Sequence, residues 1–284
     1  MTHIIALIDG SIYASSVCAH AGWVAGKTGA SVELLHVLGR RGTASQPVNL
    51  SGNLTLGARS DLLEKLAQHD ADRAKLAKER GRVILDAAKA ELEAAGITSA
   101  TARLRHGDIV EAIHDVEASA DLIIIGKRGE AADFAKGHLG SNLERIVRAA
   151  TKPVLASSRA FQPVQRALIA YDGGASADKA VAHLANGKLL AGIPIDIVSV
   201  GEDAPARRLK LENAAGILRA GGHDVTAEII AGKPEDVISQ RIAVRGIGLL
   251  VMGAYGHSRI RNLVIGSTTT EMLRICPVPV MLFR

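Results

Sequence analysis

Aromatic residues make up only 2% of the 284-residue chain. Its cores must therefore be aliphatic, and the stacking platforms used to bind single-stranded nucleic acid are missing. Cysteine is nearly absent. Cys18 and Cys276 are the two present, and they fit neither a CxxC nor a zinc spacing. Two isolated thiols make no disulfide framework and suit a reducing compartment. No apolar run approaches the length of a membrane span. Met1-Thr2-His3-Ile4 runs straight into an apolar strand-like segment, with no charged n-region ahead of a long h-region. Basic residues form no block, and the net charge of +5 reads as a solvated surface rather than a nucleic-acid footprint. These absences predict a soluble cytoplasmic protein with neither nucleic-acid nor membrane partners.

Catalytic signatures are missing as well. The chain has no GxxxxGK[ST] loop, no GxGxxG after a first strand and no G-x-S-x-G elbow. Its 10 histidines show neither HExxH nor paired ligand spacing, so His36 and His106 read as structural or solvent-facing. Asp9 and Asp172 could act as bases, but no second group completes a catalytic pair. No catalytic residue is assigned, and slow hydrolysis is the most that an enzymatic reading would carry.

What is present is a repeat. His3-Ile4-Ile5-Ala6-Leu7-Ile8-Asp9-Gly10 matches Ala167-Leu168-Ile169-Ala170-Tyr171-Asp172-Gly173. Asp121–Gly126 matches Gly248–Gly253, Gly140-Ser141 matches Gly266-Ser267, and Lys152–Leu155 matches Val278–Met281, all in one order. Two copies of one domain follow, over 1–158 and 165–284, with a seam near Ser157–Arg166. In each copy short, continuously apolar runs alternate with helical patterns, the signature of a parallel sheet buried on both faces. Strands are predicted at 3–8, 32–38, 101–105, 121–126 and 153–157. The second set falls at 167–171, 195–200, 225–230, 248–252 and 278–283. Helices are predicted near 14–29, 60–95, 108–119 and 140–150, then near 175–191, 203–220, 234–246 and 266–275. The fold class is α/β, as two tandem, doubly wound, open, parallel five-stranded sheets of Rossmann-like type. The first copy holds an insertion near 40–95: an exposed loop over Gly39–Gly57, then a charged helical stretch that reads as a surface hairpin of helices or as a docking or lid element.

The second copy's fourth strand is followed by Gly253-Ala254-Tyr255-Gly256, nine residues, then Gly266-Ser267-Thr268. The spacing G-x2-G-x9-G-S-T suits phosphate. Strand ends at the carboxyl edge of an open sheet are where ligands bind. Glycines let the backbone approach closely, and a helix opening at Gly266 offers unpaired amides and a positive helix end. His257, Arg259 and Arg261 add positive charge. The structural alternative, glycines marking a turn and Ser267 capping a helix, is less specific than the full spacing.

On these residues the chain resembles a tandem universal stress protein, over nearly its whole length. The resemblance rests on Asp9 and Asp172 at the ends of the first strands, Val37 and Val200 in the second strands, and the glycine loop. It implies an ATP-binding regulator, with ADP or AMP as alternative ligands and Mg²⁺ as a companion. It places the base on Asp172 and Val200, and the ribose and phosphates on Met252, Gly253, Gly256, His257, Gly266, Ser267 and Thr268. The first copy's counterparts are Asp9, Val37, Gly126, Gly129, Gly140 and Ser141. There ten residues separate Gly129 from Gly140, Asn142 replaces the threonine, and Glu130 and Asp133 add carboxylates. Weaker binding is expected in that half. The resemblance further implies that the Val154 and Val280 strands pair inside one chain, giving an intrachain pseudo-dimer, with a homodimer as a further step. A slow ATPase or phosphoryl-transferring enzyme, and a scaffold acting through the insertion, are the alternative readings.

Overall fold

The computed structural model describes residues 1–39, 56–130, 139–254 and 266–284, the first five residues of the second segment by backbone alone. The apolar runs form strands, and the periodic stretches between them form helices. The first half contains β1 (His3–Leu7), α1 (Ala14–Thr28), β2 (Ser31–Leu38), α2 (Leu56–Ala94), β3 (Ala100–His106), α3 (Ile109–Glu117), β4 (Leu122–Gly126), α4 (Ser141–Ala149) and β5 (Val154–Ser157). The second contains β6 (Ala167–Ala170), α5 (Ala175–Ala185), β7 (Ile195–Val200), α6 (Pro205–Ala220), β8 (Val225–Ile230), α7 (Pro234–Arg245), β9 (Leu249–Gly253), α8 (Ser267–Ile275) and β10 (Val280–Phe283).

The strand order is β3-β2-β1-β4-β5-β10-β9-β6-β7-β8. Each half is the expected doubly wound parallel sheet. The two are joined by antiparallel pairing of β5 with β10, in the register Val280–Ala156, Met281–Leu155 and Leu282–Val154. The expected pair of five-stranded sheets is thus one continuous ten-stranded sheet. Strand alternation divides the core between its two faces. Ile4, Leu34, Ile124, Ile169, Ile197 and Val251 pack with α1, α2, α5 and α6 on one face. Ile5, Leu35, Ile123, Leu168, Val198 and Leu250 pack with α3, α4, α7 and α8 on the other. Of the two outer strands, β3 carries Arg103 and Arg105, charges that discourage further edge pairing.

Helices α2 and α5 and strands β5 and β10 differ from expectation. The charged insertion is one helix, α2, rather than a hairpin of helices. No proline interrupts it, and Gly81 is no break point but a contact. A Cβ there would stand 2.8 Å from Leu104 Cδ1 and 3.0 Å from His36 Cδ2, so the glycine lets α2 lie close on β2 and β3. The exposed loop expected over Gly39–Gly57 lies mostly outside the described residues. Helix α5 stops at Ala185, earlier than expected, where Asn186 caps it ahead of Gly187. Strands β5 and β10 begin one residue after Pro153 and Pro279, because proline has no N–H to give a ladder.

Cations from each half cross the β5–β10 seam. Lys127, just past β4, is buried and donates from Nζ to the carbonyls of Cys276 (2.6 Å) and Val278 (2.8 Å), beyond the C-terminus of α8. In return Arg284, after β10, donates to Arg148 O (2.9 Å) in the last turn of α4. A cation at a helix carboxyl end is favourably placed. Burial nevertheless pushes the Lys127 ammonium down to about 8, from 10.5. Between those values the unfolded chain holds a proton that the folded chain has released. Raising the pH through this window therefore favours the folded state. Denaturant unfolding of the wild type and of Lys127→Met across it should show the wild type gaining stability relative to the variant. Parallel pH profiles would contradict the assignment.

Candidate functional site

The carboxyl ends of β6, β7 and β9 meet the amino ends of α7 and α8 at a cavity of about 210 Å³. It is lined by Asp172, Val200, Met252, Gly253, Gly266, Ser267 and Thr268, seven of the nine residues expected to bind in this half. Gly256 and His257 lie outside the described residues. Six lining residues were not anticipated: Ala170, Tyr171 and Thr269 flank expected ones, and Val198, Pro234 and Ile238 add apolar surface. Val198 sits two residues before Val200 and so shares its face, a signal available from the strand period. Pro234 and Ile238 come from α7, whose lean over the sheet edge has no sequence signature.

The local hydrogen bonds explain the cavity's shape. Gly266 N donates to Ala254 O at 3.2 Å, which draws the two ends of the intervening loop together. Thr269 Oγ1 donates to Gly253 O at 3.0 Å and ties α8 to the end of β9. Gly266 caps α8 with no side-chain hydrogen bond, and the first turn of the helix holds no acidic residue. Its opening amides thus lack the side-chain cap and local carboxylate that would otherwise compete with an anion. One carboxylate does reach this end: Glu235 of α7 accepts the Thr268 hydroxyl at 3.0 Å. At the opposite rim Asp172 Oδ1 accepts Gly174 N at 2.9 Å, fixing the carboxylate over the start of the next turn.

The first half repeats this plan on a larger scale. Asp9, Val37, Gly126, Gly129, Gly140 and Ser141 all line one cavity of about 360 Å³. Gly140 N donates to Lys127 O at 3.1 Å, the same pinch as in the second half. The contents differ. Asp9 is bound by its own loop, with Oδ1 accepting Ser11 N at 3.0 Å and Oδ2 accepting Glu130 N at 3.2 Å. Gly129 passes so near that a Cβ would sit 3.0 Å from Asp9 Oδ2. Glu130, expected to repel phosphate, is ion-paired with Arg80 of α2 in front of Gly10. Its charge is therefore matched by a cation that the insertion supplies, a contribution that sequence spacing did not reveal. Asp133 lies outside the described residues. His36 also lines this cavity, and its Nδ1 lies 2.6 Å from Ile8 O, the structural role expected of it. Among the described residues no group of three or more His, Cys, Asp or Glu side chains is arranged to hold a metal. No described helix is long and apolar enough to cross a membrane.

The profile of the Universal stress protein family matches the chain twice, over residues 1–157 and 163–284. The chain is similar to the universal stress protein Slr1230 of Synechocystis sp., at 40% identity over the full length of both. It also resembles the solved structure of a universal stress protein from Archaeoglobus fulgidus, with a TM-score of 0.75 and 23% identity over 99% of this chain and 98% of the other. A further solved structure, a protein of the same description from Pseudomonas aeruginosa, gives a TM-score of 0.62 at 17% identity over 100% and 93% of the two chains.

Because Asp9 holds the first loop through the amides of Ser11 and Glu130, Asp9→Ala should speed hydrogen exchange at both amides by about tenfold, the equivalent of one lost hydrogen bond. Unchanged protection, read by residue-resolved exchange, would show that the loop holds itself.

Proposed function

The chain belongs to the universal stress protein family, and from that premise we propose that it is an ATP-binding regulatory stress-response protein whose second half carries the principal site. The observation that carries this reading is the convergence of Asp172, Val200, Met252, Gly253, Gly266, Ser267 and Thr268 on one cavity. Its apolar walls suit a purine face, Asp172 can accept from an exocyclic amine, and the amino end of α8 suits phosphate. ADP and AMP would use the same groups with fewer phosphate contacts. Mg²⁺ would enter with the phosphates, as it does where one carboxylate and a nucleotide share the ion. Glu235, already bonded to Thr268, is the carboxylate at that end.

One contrast supports a preference for the second half. Helix α8 has no acidic residue in its first turn, whereas α4 has Glu144. On this reading 1–158 and 165–284 are two domains of unequal role. Nucleotide occupancy alters the surface they present together, to a partner or to a second copy of the chain in the cytoplasm.

Denaturing the purified protein and identifying any released small molecule tests the ligand class directly. Calorimetry on the full chain tests the site. Ser267→Ala should weaken ATP binding by about tenfold, the scale of one hydrogen bond to a charged group. Ser141→Ala in the first half should leave it unchanged. Equal losses in the two variants would overturn the preference, and no ATP binding by the wild type would overturn the function.

A further inference from the structure

The second half has another cavity, of about 290 Å³, that the proposed function does not use. It adjoins the glycine-loop cleft along Tyr171 and Asp172, which line both. The two cavities open on opposite faces of the sheet edge. Val198 and Val200 point to the α7 and α8 face and line the first, whereas Ser199 alternates to the α5 and α6 face and lines the second. The far wall comes from α6, which contributes Arg207 and Lys210.

Both cations are held by neutral acceptors. Arg207 Nη1 donates to Ser199 Oγ and to Val200 O, each at 3.1 Å. Ser199 is itself only 2% exposed, so the guanidinium is anchored to the sheet rather than trailing in solvent. Gly201 makes room for it. Its φ of +141° is one that side-chain-bearing residues rarely adopt, and a Cβ there would stand 2.7 Å from Arg207 Nη2. Lys210 Nζ donates to Gly173 O at 3.2 Å. Among the described residues neither cation has a carboxylate within ion-pair distance. The adjacent Arg208, by contrast, is paired with Asp203, and Arg219 of the same helix faces Glu212. Two cations that outnumber the single carboxylate of the cavity, Asp172, and form no ion pair among the described residues give its α6 wall a positive potential that an oxyanion relieves. A guanidinium held on one edge retains donors for two oxygens of a phosphate, and an ammonium adds a point charge. The first half shows the same arrangement already neutralised. There the crossover helix α2 sets Arg80 beside Gly10, and the chain's own Glu130 supplies the anion.

We propose that the Arg207–Lys210 cavity is a binding site for a phosphate-class oxyanion, across Asp172 from the nucleotide cleft. The site stands on its own residues and does not require that the cleft bind ATP. Its occupant is free phosphate or a phosphate borne by a ligand that reaches past Asp172.

The test is calorimetric titration of the full chain with inorganic phosphate at constant ionic strength. Saturable binding should weaken by at least about tenfold in both Arg207→Met and Lys210→Met, the scale of one charge-assisted contact. It should be unchanged in Arg208→Met, the neighbouring cation already paired with Asp203 and outside both cavities. Competition between phosphate and ATP would identify a ligand's phosphate as the occupant, and independent binding would identify the free ion. Should Arg207→Met fail to fold, Lys210→Met, at an exposed position, carries the test. Phosphate binding that is absent in the wild type, or retained in the folded variants, overturns the proposal. Phosphate binding without ATP binding would remove the nucleotide reading and leave this one standing.

Discussion

The rest of the architecture depends on three residue pairs. Val280–Ala156, Met281–Leu155 and Leu282–Val154 join two parallel sheets into one. A doubly wound sheet that stopped at its fifth strand would expose an apolar edge with unpaired backbone groups, a template for aggregation. Each half of this chain satisfies the other's edge. Because β5 and β10 run antiparallel, the order is mirrored about the seam, and α4 and α8 end beside each other's half. That is why Lys127 and Arg284 can each reach the C-terminal carbonyls of the opposite helix. Both helices begin at a glycine loop, so the seam connects the far ends of the two elements that shape the cavities.

Buried charge elsewhere follows the same logic of satisfaction. Glu33 of β2 and Asp196 of β7 occupy matching strand positions and are almost fully buried. Arg103 and His3 meet the first, while Arg166 and Arg245 meet the second. The partners come from different places in the two halves, yet the burial of one carboxylate between two basic side chains recurs. A buried carboxylate is tolerated only when it is paired. The repeat has thus preserved a physical solution while exchanging the residues that provide it. Something similar holds at the sheet edge above the aspartates, where the cation beside Gly10 is Arg80 and the one beside Gly173 is Lys210.

Much of this was legible in the sequence, for a physical reason. Strands buried on both faces must be continuously apolar, so Ile4–Ile8, Leu122–Ile125 and Leu249–Met252 announce themselves without an alignment, and their recurrence in one order discloses the duplication. The residues at strand ends and at Gly266–Thr268 were legible because glycine spacing and helix-opening hydroxyls restrict the backbone they can occupy. The contributions from across the cleft were not. Ile238, Pro234 and Arg80 reach the cavities through the packing angle of helices, which depends on side chains far from them in sequence. The unbroken course of α2 was hidden for a related reason. Gly81 reads locally as a weak point, and only the proximity of Leu104 and His36 shows that the glycine is required for close packing.

The insertion changes the meaning of the duplication. With α2 present, the first half's loop is anchored at three places: Asp9 takes the Glu130 amide, Arg80 takes the Glu130 carboxylate, and Lys127 is sunk into the other half. A loop bound to its own protein has less freedom to rearrange around a ligand, because each contact must be exchanged rather than simply made. The Arg80–Glu130 pair is the cheapest of these to exchange, since both groups are substantially exposed and such pairs contribute about 1 kcal/mol or less. Lys127 is the most expensive, because withdrawing it leaves one buried and one part-buried carbonyl without their donor. The contact supplied by the insertion is therefore the first to yield, and Lys127 the last. The second half has a shorter helix at the corresponding crossover, whose Arg207 and Lys210 are held by serine and backbone oxygens in place of a loop carboxylate. From one ancestral plan the chain has thus made one end that is braced and one whose positive charge remains on offer.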